Sequence, residues 1–272
     1  YIPRKTNFLT EYDENYENSK ELSEYYQCNL ITSLSNLGVY QWVSICTPTA
    51  SHFDIFKIVH ASNCKSIICE KPLTCNLKEI SSYRSIYLSN PSLKVYVNYF
   101  RNFQPNYIKL KDYLSREKNL RIESIVVTYH KGFLNSCSHS LSLIEFLFDE
   151  KLNFENSKIV SSQHDVYDDD PTISMVSLMN AWNLHIVGLT SITRPVWDIT
   201  INLNIGLLSI KDSGRVVHFL SNGSEYNSIT WNRFLDFEDD HLPFFQDYML
   251  DTIRAITQHE DRRDLDSRLP DN

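Results

Sequence analysis

The chain has 272 residues, 42% of them hydrophobic and 12% aromatic, with a net charge of −8 at pH 7. That is enough for one large domain or two modest ones around a sizeable core. No basic cluster is present to meet nucleic-acid phosphates, and the longest apolar runs, such as 43–46 and 67–69, are too short to span a bilayer.

Tyr1-Ile2-Pro3-Arg4-Lys5 leads into no apolar segment of the secretory kind. The cysteines (Cys28, Cys46, Cys64, Cys69, Cys75 and Cys137) form no C-x-x-C pair and match no zinc spacing, so no metal site is expected. They read as small buried hydrophobes of a reducing, cytoplasmic protein.

In chain order, residues 7–13 read as a short strand ending on acids. Residues 15–28 read as a helix, with Leu22, Tyr25 and Tyr26 at helical spacing. A short helix over 33–37 is capped by Ser33. Residues 40–46 form a strand stopped by Thr47-Pro48, and 51–62 follow as a helix. Next come a strand over 66–69, a helix over 76–88 and a strand over 94–100. Strands alternating with helices of this length predict βαβ units and a parallel sheet.

A complete dinucleotide-binding unit opens with one more strand, a glycine-rich turn and a helix. The glycines (Gly38, Gly132, Gly188, Gly206, Gly214 and Gly223) make no G-x-G-x-x-G. The first region is therefore expected to be a partial Rossmann domain without its first βα unit, about 25–30 residues by the usual length. In that frame Asp13 stands where an acid bonds the ribose hydroxyls, a feature that favours NAD over NADP.

Pro105 starts a helix over 106–116, followed by a strand over 121–130 and a helix over 136–148. Strands are predicted at 158–164, 173–180, 182–189, 197–204, 206–211 and 216–221, then a helix over 244–258 and a charged tail from 260. The expected architecture is α/β: the partial Rossmann domain over 1–101, then an α+β domain over 102–272 with a large, mostly antiparallel sheet and helices on one face.

Chemistry-bearing residues cluster where strands end. Glu70-Lys71-Pro72 closes the strand 66–69. The Lys71 ammonium is either a surface charge or, desolvated in a cleft, a group that trades protons near neutrality. Asn135 and His139 stand four apart where a strand passes Gly132 into a helix, so both face one way. His139 is a base suited to accept a hydroxyl proton or else a hydrogen-bonded core residue. Thr47, Pro48 and His52 line a nucleotide cleft, or Pro48 merely ends a strand and Ser51 caps the next helix. Arg101 either holds an anionic group or pairs with an acid between the domains. Asp168-Asp169-Asp170 reads as a solvated loop.

Together these motifs resemble the glucose–fructose oxidoreductase / inositol dehydrogenase (Gfo/Idh/MocA) family of NAD(P)-dependent enzymes. Thr47-Pro48-x-x-x-His52 is similar to its nucleotide-side loop, Glu70-Lys71-Pro72 to its lysine motif, and Tyr99-Phe100-Arg101-Asn102-Phe103-x-Pro105 to its domain crossover. Gly132-x-Leu134-Asn135-x-x-x-His139 resembles its catalytic segment. The resemblance implies an oxidoreductase of a sugar or sugar-nucleotide hydroxyl, with surface-polysaccharide synthesis as one setting. Lys71, His139 and Asn135 would be the catalytic group. Asp13, Thr47, Pro48, His52, Glu70, Lys71 and Pro72 would face NAD or NADP, and Arg101 and Asn135 the substrate. It also implies a homo-oligomer formed through the large sheet. Three departures stand out: the missing glycine motif, Asn135 where many members carry Asp, and Ser142 where an Asp often stands. The first keeps open a non-enzymatic sensor of a dinucleotide or sugar, or an inactive remnant.

Overall fold

The computed structural model describes residues 7–9, 16–25, 29–31, 40–62, 64–192, 194–222, 228–230 and 252. Asp13, the helix expected at 33–37, most of 244–258 and the tail lie outside them. The chain divides into two compact units with a boundary between Asn98 and Tyr99.

In the first unit β1 (Asn7–Leu9) pairs in parallel with β2 (Asn29–Ile31), with α1 (Tyr16–Tyr25) between them. β2 was not expected. A three-stranded parallel sheet follows in the order β3 (Trp42–Ile45), β4 (Ser66–Cys69), β5 (Lys94–Val97). All four residues of β4, Ser-Ile-Ile-Cys, are buried. An unbroken apolar run of this kind belongs to a parallel strand covered on both faces. The crossovers are α2 (Thr49–Ala61) and α3 (Leu77–Ser89). α2 buries His52, Ile55, Phe56 and Val59, a single stripe at i, i+3, i+4 and i+7. It begins directly after Pro48, so Ser51 sits inside its first turn rather than capping it. The Asn76 side chain caps α3 by accepting from Lys78 N at 3.0 Å.

The second unit opens with a turn of 3-10 helix (Phe100–Phe103) and α4 (Pro105–Arg116), which starts on a proline whose missing N–H costs nothing there. After β6 (Ile122–Tyr129), a π-helical turn (Phe133–Cys137) leads into α5 (Ser138–Phe148). Then come β7 (Ser157–Gln163), β8 (Thr172–Leu178), β9 (Asn183–Gly188), β10 (Trp197–Leu203), β11 (Gly206–Lys211), β12 (Val216–Ser221) and β13 (Ser228–Thr230).

These form one sheet in the order β13-β12-β11-β10-β6-β9-β8-β7. Only β6 and β9 run parallel, so the mostly antiparallel expectation holds. Alternate residues point to one face: Ile125, Val127 and Tyr129 of β6 and Ile199, Ile201 and Leu203 of β10 are buried. Tyr107, Leu110 and Leu114 of α4 and Leu143, Ile144 and Leu147 of α5 join them in one core. β7 closes one end of the sheet, exposed along nearly its whole length, with a register shift between Ile159 and Ser161.

Candidate active site

In the first unit, the carboxyl ends of β3 and β4 carry the two expected motifs. His52 is 1% exposed. Its Nε2 lies 2.7 Å from Thr47 O and its Nδ1 lies 3.1 Å from Pro72 O. The imidazole thus bridges the loop after β3 and the loop after β4, and both ring nitrogens face backbone carbonyls. His52 therefore ties together the two loops that carry the expected motifs. The Ser51 hydroxyl lies 2.9 Å from Thr47 Oγ1 and 2.8 Å from Pro48 O, which fixes the same loop. Glu70 Oε1 accepts from Asn98 Nδ2 at 2.5 Å, joining the ends of β4 and β5. Glu70 therefore braces the sheet edge on at least one oxygen. Lys71 and Pro72, linked by a cis peptide bond, follow it half-buried.

In the second unit, the segment carrying Asn135 and His139 is held by a residue the sequence reading misplaced. Asp170 is buried. Its Oδ1 accepts from Leu134 N and its Oδ2 from Asn135 N, both at 2.7 Å. Two orphan N–H groups of the π turn are satisfied by one carboxylate, as a helix start requires. So the run Asp168-Asp169-Asp170 is not simply a solvated loop: its last member turns inward. Gly132 (φ +80°) makes this approach possible, because a Cβ there would sit 2.2 Å from Asp170 Oδ2. Trp197 Nε1 donates to Ser136 O at 3.3 Å and steadies the same turn.

His139 packs edge-on against the rings of Tyr99 and Phe100, each 5.6 Å away between centroids. Asn135 Nδ2 lies 3.3 Å from Lys131 O and 3.4 Å from the Tyr167 hydroxyl. Ser142, where the resemblance would place an Asp, accepts from Asn102 Nδ2 at 2.8 Å. The structure brings Arg101, Asn135 and His139 to one cavity of about 190 Å³. Trp197, Lys131 and Ser136 also line it. Arg101 pairs with no described acid. Instead its guanidinium carbon lies over the Phe100 ring (4.5 Å) and over the Trp197 ring (4.0 Å). Burial lowers its pKa to about 10.

Residues 3–99 match the model of the oxidoreductase family with an NAD-binding Rossmann fold. That match covers the first unit of the chain and is a likeness to the Gfo/Idh/MocA model over those residues. The fold of the chain is shared with solved dehydrogenases and with a transcriptional regulator. A dehydrogenase from Chromobacterium violaceum superposes with a TM-score of 0.72 at 15% identity, over 98% of this chain and 83% of that one. UDP-N-acetylglucosamine 3-dehydrogenase from Acidithiobacillus ferrooxidans gives 0.65 at 15% identity, over 92% and 80%. The transcriptional regulator Gal80p from Kluyveromyces lactis gives 0.69 at 12% identity, over 97% and 76%. No curated protein matches the chain.

The model matched by residues 3–99 is that of an NAD-binding Rossmann fold, which NAD or NADP fits. Thr47, with a hydroxyl, and Lys71, with an ammonium, stand just past the carboxyl ends of β3 and β4, where ligands of parallel sheets sit. For the pyrophosphate the sequence contains no G-x-G-x-x-G. Among the described residues no His, Cys, Asp and Glu cluster could hold a metal, and no helix is long and apolar enough to cross a membrane.

Proposed function

We propose that the chain is an NAD(P)-dependent oxidoreductase acting on a hydroxyl of a sugar or sugar nucleotide. The observation that carries this reading is the cavity in which the imidazole of His139 and the amide of Asn135 stand together. When bound, the dinucleotide supplies the hydride acceptor. His139 accepts the proton of the reacting hydroxyl, a role for which an imidazole is suited near neutral pH. Asn135 holds a neighbouring hydroxyl. Lys71, with Thr47, binds the dinucleotide at the ends of β3 and β4. His52 and Glu70 act at one remove, by fixing the loops. The sugar-nucleotide dehydrogenase among the similar folds supports this substrate class. The same reading makes the chain a homo-oligomer through the sheet face carrying Leu178, Val187 and Leu220, all exposed in the single chain.

The test is turnover of a panel of sugars and sugar nucleotides with NAD and NADP. His139→Ala and Lys71→Ala are each expected to lower kcat by about 10²–10⁴-fold, with circular dichroism unchanged. An unaltered kcat in both variants overturns the mechanism.

A sensor is the second reading. It is supported by the likeness to a transcriptional regulator. Tight dinucleotide or sugar binding without turnover on any of the panel would favour it.

A further inference from the structure

Among the described residues the charge of Arg101 has no acidic counterpart. This side chain is 7% exposed. Among the described residues no carboxylate lies within ion-pair distance of it, and its Nε has no hydrogen-bond partner. Asp212, close by in sequence to the loop it contacts, turns to Arg215 instead, at 3.8 Å. A buried cation without an anion is costly, and arginine is almost never buried unpaired.

The fold nevertheless goes to some length to hold it there. Nη2 donates to Ser213 O at 2.8 Å. That carbonyl belongs to three successive left-handed residues, Asp212 (φ 51°), Ser213 (φ 57°) and Gly214 (φ 86°). Two of them are not glycine, and an L side chain in that region strains the backbone. Gly214 admits the guanidinium, since a Cβ there would stand 2.9 Å from Arg101 Nε and 2.7 Å from the Tyr107 hydroxyl. Tyr107 locks the loop by donating to Gly214 O at 2.9 Å.

The Phe100 and Trp197 rings lie against the guanidinium, 4.5 Å and 4.0 Å from its central carbon. In-plane approach to the fork suits a planar carboxylate, which accepts two parallel N–H bonds. The cavity wall reinforces the sign. Lys131 adds a second cation, and none of the lining residues is acidic. Its volume, about 190 Å³, exceeds the roughly 150 Å³ that holds a benzene molecule. That is room for one substituted six-membered ring.

We propose that this cavity takes a ring bearing an oxyanion, and that the anion is the carboxylate of a sugar acid of the hexuronate class, seated on the edge of Arg101. The sugar part rests on the proposed function; the anion rests on Arg101 alone. A phosphate would satisfy the same charge, but its tetrahedral oxygens match a flat fork less well.

The test is titration calorimetry on the full chain with glucuronate, glucose, glucose 6-phosphate and inorganic phosphate, without dinucleotide. Glucuronate is expected to bind at least about tenfold more tightly than glucose. Arg101→Gln should remove the difference, and Arg101→Lys should restore part of it. Should Arg101→Gln not fold, phenylglyoxal labelling of the unaltered protein gives the answer: glucuronate, and not glucose, should protect Arg101 as read by mass spectrometry. Equal affinity for glucose and glucuronate, or a preference that survives Arg101→Gln, overturns the proposal. Tighter binding of either phosphate ligand overturns the carboxylate assignment in favour of a phosphate. Turnover separates the two readings. Dinucleotide-dependent oxidation of neutral sugars with no preference for acids removes this inference and leaves the proposed function. Binding of the acid on Arg101 with no turnover does the reverse.

Discussion

Asp170 shows how one residue can be misplaced by its neighbours. Three consecutive aspartates are normally a hydrated run, and nothing local sets the third apart. Its partners, the N–H groups of Leu134 and Asn135, lie 36 and 35 residues away in the chain. A contact of that range leaves no mark on periodicity or composition. Removing it should be felt twice. Asp170→Ala leaves two inward-facing N–H groups without an acceptor and is expected to cost about 2–4 kcal/mol, read from the urea midpoint. It should also lower turnover, because Asn135 and His139 ride on the turn it holds. Asp170→Asn, which keeps an acceptor, should recover part of the stability. A variant as stable and as active as the parent would show the carboxylate to be incidental. Arg101 is the opposite case: the sequence singled it out as either an anion holder or an ion-pair member, and the absence of a described acid beside it favours the first.

At the scale of elements, the legible parts were those with strong periodicity or unbroken burial. β4 was read at its true limits because Ser66-Ile67-Ile68-Cys69 is apolar between polar flanks. β2 was missed because three residues, Asn-Leu-Ile, are too few to show alternation. α2 was placed within two residues of its start, yet the meaning of its histidine was not visible. In a helix stripe with Ile55, Phe56 and Val59, His52 occupies a core position. Only the fold shows that the chain has brought the carbonyls of Thr47 and Pro72 to its two nitrogens. His52→Ala should therefore cost about 1–3 kcal/mol. It should also raise the Kd for the dinucleotide by freeing both loops, while leaving ligand binding in the cavity of the other unit unchanged. An unchanged dinucleotide Kd would show the bridge to be merely structural.

Over the whole molecule, the architecture was readable because each unit follows one rule. Alternating strands and helices gave the parallel sheet, and period-two strands gave the mixed one. The interior is also marked by groups that must stay neutral. Burial pushes the Cys64 thiol up to about 11, and Cys69, Cys137, Tyr83, Tyr107 and Tyr129 are raised for the same reason. A raised value in the folded state favours the protonated form. The stability it contributes is complete below the ordinary thiol value near 9 and is lost as pH climbs through about 11. Arg101 works the other way: its lowered value makes the folded state bear a charge cost that is relieved above about pH 10. Several raised groups outweigh one lowered one, so Tm should fall between pH 9 and pH 11. A flat Tm across that window, followed by scanning calorimetry, would mean that these groups relax in the folded state.

The irregular strand at the end of the large sheet has a bearing on how the protein behaves when concentrated. A long straight ribbon with an open amide ladder, carrying Ile159 and Val160 bare to water, would be a template for endless chain-to-chain stacking. The kink at that point and the ammonium of Lys158 break the template. Deleting Val160 while replacing Lys158 with valine would straighten and discharge it, and clear solutions should then turn turbid, seeding fibres that the parent chain does not form.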